Sequence, residues 1–194
     1  MTGVSLDRLT TTEREATLNL EKELQENVIG QNDAVKTLSD AVIRAKSGLG
    51  EEEKPEAAIL FAGPTGVGKT EATKVLAKQL GRELVRFDMS EFSEEHSVSK
   101  LFGSPPGYVG SDNGGRATEA VKKNPDAIFL FDEVEKAHPT VLNTLLQLLD
   151  DGRLTDGAGE TANFRGAMVI LTSNAGAADA SQQADEVMNR KHIG

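Results

Sequence analysis

Short apolar runs alternate with amphipathic stretches along most of the chain. Four runs predict strands at 57–62, 83–87, 127–131 and 167–172. Apolar positions at helical spacing predict helices at 69–80, 93–101, 118–123 and 139–151, with a turn or hairpin at 153–164. Strands that are apolar on both faces are typical of a parallel sheet covered by helices on both sides. We therefore expect an α/β fold with a mainly parallel central sheet.

Two further helices are predicted before the first strand. Thr12 and Glu15 have the spacing of a capping box, which predicts a charged helix that runs to about residue 25. Asn32 is the expected N-cap of the second helix, and Gly48 is its expected end.

Composition and charge narrow the classes of function. The chain has 194 residues, which suits one domain with a short appendage. Its 31 acidic and 21 basic residues give a net charge of −10, which would repel a nucleic-acid backbone. It has no cysteine, which excludes disulfides and thiolate zinc sites and suits a reducing compartment. No apolar run approaches the ~20 residues that a membrane-spanning helix needs, so we expect neither nucleic-acid nor membrane partners.

A glycine-rich loop follows the first predicted strand. Residues 63–70 match the pattern G-x-x-x-x-G-K-[ST] without a mismatch. Glycines allow successive backbone N–H groups to point at phosphate oxygens, and the dipole of the following helix favours the same negative charge. Lys69 is expected to reach the outer phosphates and the Thr70 hydroxyl to ligate Mg²⁺. An ordinary glycine turn before a helix is the alternative, but the strand before the loop favours phosphate binding.

Two adjacent acids end the third predicted strand. A carboxylate at the end of a buried strand is costly unless it meets a cation, so Asp132 is expected to face Mg²⁺ beside Thr70. Glu133 projects in another direction and is expected to polarise an attacking water molecule. The alternative is that both acids cap the next helix. The presence of the glycine loop favours the catalytic interpretation.

A third polar segment, 172–174, follows the fourth predicted strand. Asn174 could hold the water molecule or contact the terminal phosphate, although an asparagine in a turn is equally common. In open α/β sheets, ligands bind outside the carboxyl ends of the strands. The three segments are therefore expected to converge on one crevice.

These motifs together resemble those of AAA+ ATPases, and in particular the second AAA+ module of Clp-type unfoldases and disaggregases (ClpA-, ClpB- and ClpC-like). The stretches that carry the resemblance are 28–31, 63–70, 86–91, 105–110, 132–139, 151–156 and 172–174. The resemblance implies a P-loop NTPase fold, which is a three-layer sandwich, with ATP or ADP and Mg²⁺ as ligands.

The resemblance also implies roles for individual residues. Lys69 and Thr70 match the Walker A pair, Asp132 and Glu133 the Walker B pair, and Asn174 the first sensor. The expected catalytic residues are Lys69, Asp132, Glu133 and Asn174, and the expected metal ligands are Thr70 and Asp132. The residues expected to contact the nucleotide are Val28, Ile29, Pro64, Thr65, Gly66, Val67, Gly68, Lys69, Thr70 and Glu71. Without the resemblance, Val28 and Ile29 indicate only the apolar lead-in to a helix.

The only tyrosine of the chain lies in a loop rich in glycine and proline at 103–115. Tyr108 is flanked by glycines, and an aromatic ring on such a loop can grip an extended peptide. The resemblance implies that Gly107, Tyr108, Val109 and Gly110 line the axial pore of a hexamer. The alternative from the residues alone is an aromatic that anchors its loop on the surface of its own protein.

The resemblance sets the expected domain organisation. It predicts a lead-in segment at 1–27, the large nucleotide-binding subdomain at 28–175 and a polar tail at 176–194. The family's arginine finger, small helical domain and second sensor are not found. We therefore expect a piece of a longer unfoldase that binds nucleotide with little hydrolysis of its own.

The implied parent protein is a cytoplasmic, hexameric ATPase. It would act on substrate polypeptides, and a peptidase partner is possible. Two other functions remain open: a DNA-handling AAA+ loader, which the acidic charge disfavours, and a nucleotide-dependent scaffold, which Glu133 disfavours.

Overall fold

A computed structural model describes residues 15, 18, 19 and 22 and the ranges 32–46, 53–63, 68–104, 114–156 and 159–175. Its strands are β1 (Ala57–Ala62), β2 (Leu84–Asp88), β3 (Ile128–Asp132), β4 (Arg153–Thr155), β5 (Thr161–Asn163) and β6 (Met168–Ser173). Its helices are α1 (Asn32–Lys46), α2 (Lys69–Leu80), α3 (Ser97–Phe102), α4 (Arg116–Lys123) and α5 (Pro139–Asp151), with 3₁₀ turns at Met89–Phe92 and Val134–Lys136.

The main sheet has four parallel strands in the order β1-β6-β3-β2, and β4 and β5 form a separate antiparallel hairpin. Each of the four predicted strands lies within one residue of an observed one, and the predicted parallel sheet and hairpin are confirmed. β3 lies between β2 and β6, and all five of its residues are buried.

The sheet is the middle of three layers. Ile128 and Leu130 of β3 pack with α1 and α2 on one face, and Phe129 and Phe131 pack with α3, α4 and α5 on the other. Successive strand residues point to opposite faces, so an unbroken apolar strand supplies both cores. The predicted α/β three-layer architecture is confirmed.

The prediction that the first strand is buried is wrong for one of its faces. Ile59 and Phe61 are buried, whereas Ala58, Leu60 and Ala62 are exposed, with Leu60 at 43%. Within the described residues, β1 pairs on one side only, with β6. In the part of the chain that the structure describes, only the face of β1 toward α1 and α2 is covered.

The helices begin and end largely where the punctuating residues predict. α1 starts at Asn32, and α2 ends at Gly81, which has a φ of 62°. His138 caps α5, because its Nδ1 accepts from the backbone N–H of Thr140 at 3.2 Å.

The helix predicted at 93–101 is shorter than expected and begins at Ser97. A 3₁₀ turn precedes it, capped by Asp88, which accepts from the backbone N–H of Ser90 at 2.9 Å. Hydrogen bonds from the Ser90 hydroxyl and N–H lower the pKa of Asp88.

The first predicted helix is seen only in part. Glu15, Leu18, Asn19 and Lys22 are helical, and the rest of that stretch lies outside the described residues. Among the helices that the structure describes, none has the length and apolar character to cross a membrane.

Candidate active site

The three polar segments meet at one edge of the sheet. Gly63 follows β1, Asp132 ends β3 and Ser173 ends β6, and these strands are parallel and adjacent. The backbone N–H of Gly63 donates to the carbonyl of Ser173 at 3.1 Å. The structure thus brings Gly63, the first residue of the glycine loop, and both strand ends together, as the topology rule predicts.

The ammonium group of Lys69 lies among three oxygen atoms of the chain. Its Nζ donates to the carbonyl of Gly63 at 2.7 Å, to that of Ser173 at 2.6 Å and to Oδ1 of Asn174 at 2.7 Å. An ammonium has three protons, so these acceptors match its donor capacity. All three acceptors are uncharged. Among the described residues, the positive charge of Lys69 therefore has no counter-ion in direct contact.

Burial lowers the pKa of Lys69, because partial loss of water disfavours the charged form. The carboxylates of Glu135, Asp132 and Glu133 favour the ammonium and oppose this shift, but the effect of burial is larger. An anion that reached Lys69 would meet a partly desolvated cation, where Coulomb attraction is stronger than in water.

Asp132 is 7% exposed, and both of its carboxylate oxygens have partners. Arg86 donates to Oδ2 from Nε at 3.0 Å and from Nη2 at 2.5 Å. The hydroxyl of Thr172 donates to Oδ1. A buried carboxylate needs such partners, so Arg86 and Thr172 explain how the chain accommodates Asp132 here.

Glu133 turns the chain away from the sheet. Its φ of 59° and ψ of 55° make it the only non-glycine residue with positive φ in the described part of the chain. Its carboxylate accepts from Nδ2 of Asn174 at 2.6 Å and from Nζ of Lys136 at 2.5 Å, and this bond raises the pKa of Lys136. Glu133 stands at the N-cap position of the 3₁₀ turn Val134–Lys136, but its side chain makes no capping hydrogen bond there, and His138 caps α5. The alternative that the side chains of both acids cap the next helix is therefore wrong.

Asn174 links the lysine to the acids. Its Oδ1 accepts from Lys69, its Nδ2 donates to Glu133, and its backbone N–H donates to Oε1 of Glu135 at 3.0 Å. The side chain therefore contacts the positive and the negative group of the site at once. An asparagine in an incidental turn would not need this arrangement.

The remaining predicted site residues are less well defined. Gly68 has a φ of 81° and precedes α2, and Thr70 lies half-buried in its first turn. Glu71 is exposed and pairs with Lys74 at 2.6 Å. Predicted residues outside the described part of the chain are Val28, Ile29, Pro64, Thr65, Gly66, Val67, Gly107, Tyr108, Val109 and Gly110.

Four further residues contact the site and are not among those predicted from the sequence, namely Arg86, Thr172, Glu135 and Lys136. Arg86 is a charged residue between the apolar residues of β2, and Thr172 is a polar residue that follows the apolar run of β6. Such breaks in an apolar run are a signal for a functional contact, but they do not identify the partner.

The chain is similar over most of its length to known proteins. Residues 54–193 match the AAA domain (Cdc48 subfamily) family. Chaperone protein ClpB of Brucella suis is 55% identical over 179 residues, which are 91% of this chain and 20% of the relative. The ATP-dependent Clp protease ATP-binding subunit ClpC of Staphylococcus epidermidis is 52% identical over 185 residues, which are 94% of this chain and 23% of the relative.

Heat shock protein 100 of Trypanosoma brucei brucei is 53% identical over 178 residues, which are 90% of this chain and 20% of the relative. The chain thus spans about a fifth of the length of these curated relatives.

Proposed function

Because this chain belongs to the AAA domain (Cdc48 subfamily) family, we propose that it is the ATP-binding and ATP-hydrolysing part of a Clp-type protein unfoldase. Its relatives are named as chaperones, as a heat shock protein and as the ATP-binding subunit of a Clp protease. Family membership implies that the chain binds a nucleotide.

The observation that carries this proposal is the environment of Lys69. Its ammonium is partly desolvated and held by three uncharged oxygens at the carboxyl ends of β1 and β6. Uncharged acceptors hold the ammonium in place without neutralising its charge. A phosphate that replaced one of them would be the first anion in direct contact with Lys69. In this proposal, Lys69 binds the outer phosphates of the nucleotide.

The donor chemistry of the site fits a magnesium ion. Carboxylate and hydroxyl oxygens are the ligands that Mg²⁺ prefers. The carboxylates of Asp132, Glu133 and Glu135 lie near enough to Lys69 to favour its charged form. Among the described residues, Oε2 of Glu135 is buried without a hydrogen-bond partner. This carboxylate oxygen is therefore still available to accept a contact at the site. Thr70 and Asp132 would hold the ion, which would neutralise charge on the phosphates.

Glu133 is the residue that we assign to hydrolysis. It is half-buried, and its carboxylate is oriented by Asn174 and Lys136 at opposite oxygens. A carboxylate held in this way can accept the proton of an attacking water molecule. Asn174 would keep the carboxylate aligned while it also contacts Lys69.

The proposed action on polypeptides follows from the resemblance to Clp-type unfoldases. Gly107, Tyr108, Val109 and Gly110 would line the pore of a hexamer and grip substrate polypeptides. The name of the ClpC relative, an ATP-binding subunit of a Clp protease, supports a peptidase partner. The absence of cysteine suits the cytoplasm.

Thermal unfolding of the 194-residue chain tests nucleotide binding. ADP with Mg²⁺ at a hundredfold its dissociation constant should add ~2.7 kcal/mol to the free energy of unfolding. Lys69→Ala should abolish this gain. The control is Lys78→Ala, an exposed lysine in the last turn of the same helix, which should keep it.

An unchanged midpoint with the native chain would contradict the proposal. An equal gain in Lys69→Ala would contradict the assignment of Lys69, because binding would then occur elsewhere.

A further inference from the structure

Thr172 is the second-last residue of β6, and its hydroxyl contacts the carboxylate of Asp132 and the backbone of Glu133. The residue is 1% exposed. Its Oγ1 accepts from the backbone N–H of Glu133 at 3.0 Å and donates to Oδ1 of Asp132. A hydroxyl has one proton and two acceptor sites, so one atom can serve both residues. We propose that Thr172 is a positioning residue that holds Asp132 for the metal ion and Glu133 for the water molecule; this inference rests on the proposed function.

The backbone of Glu133 explains why the contact is needed. The pairing of β3 with β6 reaches Phe131 and Leu171, so the N–H of Glu133 lies beyond the ladder. Its positive φ is a sparsely populated conformation that persists only where surrounding contacts hold it. The Thr172 hydroxyl supplies the acceptor that the ladder no longer offers.

The carboxylate of Asp132 is held from two sides. Arg86 contacts Oδ2 only, and Thr172 contacts Oδ1 only. Arg86 brings a charge that opposes a metal ion, whereas Thr172 is neutral. Removing the hydroxyl of Thr172 therefore changes the orientation of Asp132 without changing the charge of the site.

The test compares Thr172→Val, which keeps the shape of the side chain, with Thr172→Ser, which keeps the hydroxyl. Calorimetry measures the dissociation constant of ADP with Mg²⁺ and with EDTA. A group that orients a metal ligand is typically worth ~10–100-fold in metal affinity. In Thr172→Val, the gain in ADP affinity caused by Mg²⁺ should fall by about tenfold or more, with the affinity in EDTA within about twofold of native. Thr172→Ser should keep most of the gain.

Thr118 offers a matched control. It is also 1% exposed, and its Oγ1 donates to the carbonyl of Gly115 at 2.9 Å, in α4 and away from the acids. Thr118→Val likewise removes a buried hydroxyl together with its hydrogen bond. It should leave the Mg²⁺-dependent gain unchanged.

Hydrogen exchange of the Glu133 amide, followed by NMR, gives a readout that needs no nucleotide. The amide should exchange faster in Thr172→Val, because it loses its acceptor, and at the native rate in Thr172→Ser and Thr118→Val. A purely structural role for Thr172 would lower protection throughout β6 and would leave Glu133 no different from its neighbours.

Two results would overturn the inference and leave the proposed function intact. One is a Thr172→Val chain that keeps the full gain from Mg²⁺. The other is a chain that loses ADP affinity equally with Mg²⁺ and with EDTA. A native chain that binds no ADP under either condition would instead overturn the proposed function, and the role of Thr172 with it.

Discussion

Two lysines of this protein are surrounded by oxygen atoms, but the oxygens around one are uncharged and those around the other belong to carboxylates. Lys69 contacts two carbonyls and one amide at the site end of the sheet. Lys122, on α4, lies 2.5 Å from Glu160, 3.2 Å from Glu119 and 3.9 Å from Asp156, all carboxylates. The pKa of Lys69 is lowered by burial, whereas the pKa of Lys122 is raised by its hydrogen bonds to Glu160 and Glu119.

The difference shows which lysine can receive an anion. Lys122 already has its counter-ions in contact, so a phosphate would have to displace them and would be repelled by them. Lys69 keeps a charge that its immediate neighbours do not neutralise, although Glu135, Asp132 and Glu133 act on it from farther away. Of these two lysines, the nature of the contacting oxygens therefore favours Lys69 as the one that would bind an anion.

Asn174→Asp would break this contrast most strongly. The substitution replaces an uncharged acceptor of Lys69 with a carboxylate, which makes Lys69 resemble Lys122. Like-charge contacts at a binding site cost several kcal/mol, so the dissociation constant of ADP in EDTA should rise by about tenfold or more. Calorimetry of both chains measures the change.

Asn163→Asp is the matched control for this prediction. Asn163 is exposed on β5, where its Oδ1 accepts from the backbone N–H of Arg165 at 2.9 Å. The same change of charge there should leave ADP affinity as it is. If Asn174→Asp bound ADP as well as the native chain, uncharged acceptors would not be what prepares Lys69.

The sheet could be predicted from the sequence because its strands are nearly unbroken apolar runs. A strand buried on both faces has no polar position to obscure it, and β3 is the clearest case. The exposure of Ala58, Leu60 and Ala62 could not be predicted. Whether the second face of a strand is covered depends on its neighbours in space, and β1 is as apolar as the central strands.

The meeting of Lys69, Asp132 and Asn174 could be predicted because parallel strands end at the same edge. Their hydrogen bonds could not. Arg86 reaches Asp132 across 46 positions and Thr172 reaches it across 40, and both contacts depend on the strand order β6-β3-β2. The roles given to these residues in catalysis stay predictions.

Raising the pH would sharpen the contrast between the two lysines. For Lys69, the unfolded chain binds more protons between the lowered pKa and the ordinary value of 10.5. The free energy of unfolding should therefore rise with pH in that window, as the cost of a buried charge is relieved. For Lys122, the pKa is raised, so the stability from its ion pairs is present below 10.5 and is lost as the pH rises above it.

Denaturant unfolding of the native chain, Lys69→Met and Lys122→Met from about pH 8 to about pH 11 measures both slopes. The free energy of unfolding of the native chain, minus that of Lys69→Met, should increase with pH. The free energy of unfolding of the native chain, minus that of Lys122→Met, should decrease as the pH rises above 10.5. Two differences that change in the same direction would contradict the assignment of opposite shifts.

Lys122→Met should have the smallest effect on the molecule at neutral pH. Surface ion pairs contribute little, because water screens the charges and the side chains lose entropy. The midpoint of thermal unfolding should change by no more than about 2 °C, and the change should vanish in about 1 M salt. Lys123→Met, at an exposed neighbour, controls for the loss of a charge. ADP affinity should be native in both chains, and a loss in Lys122→Met alone would show that a lysine neutralised by carboxylates can still serve the site.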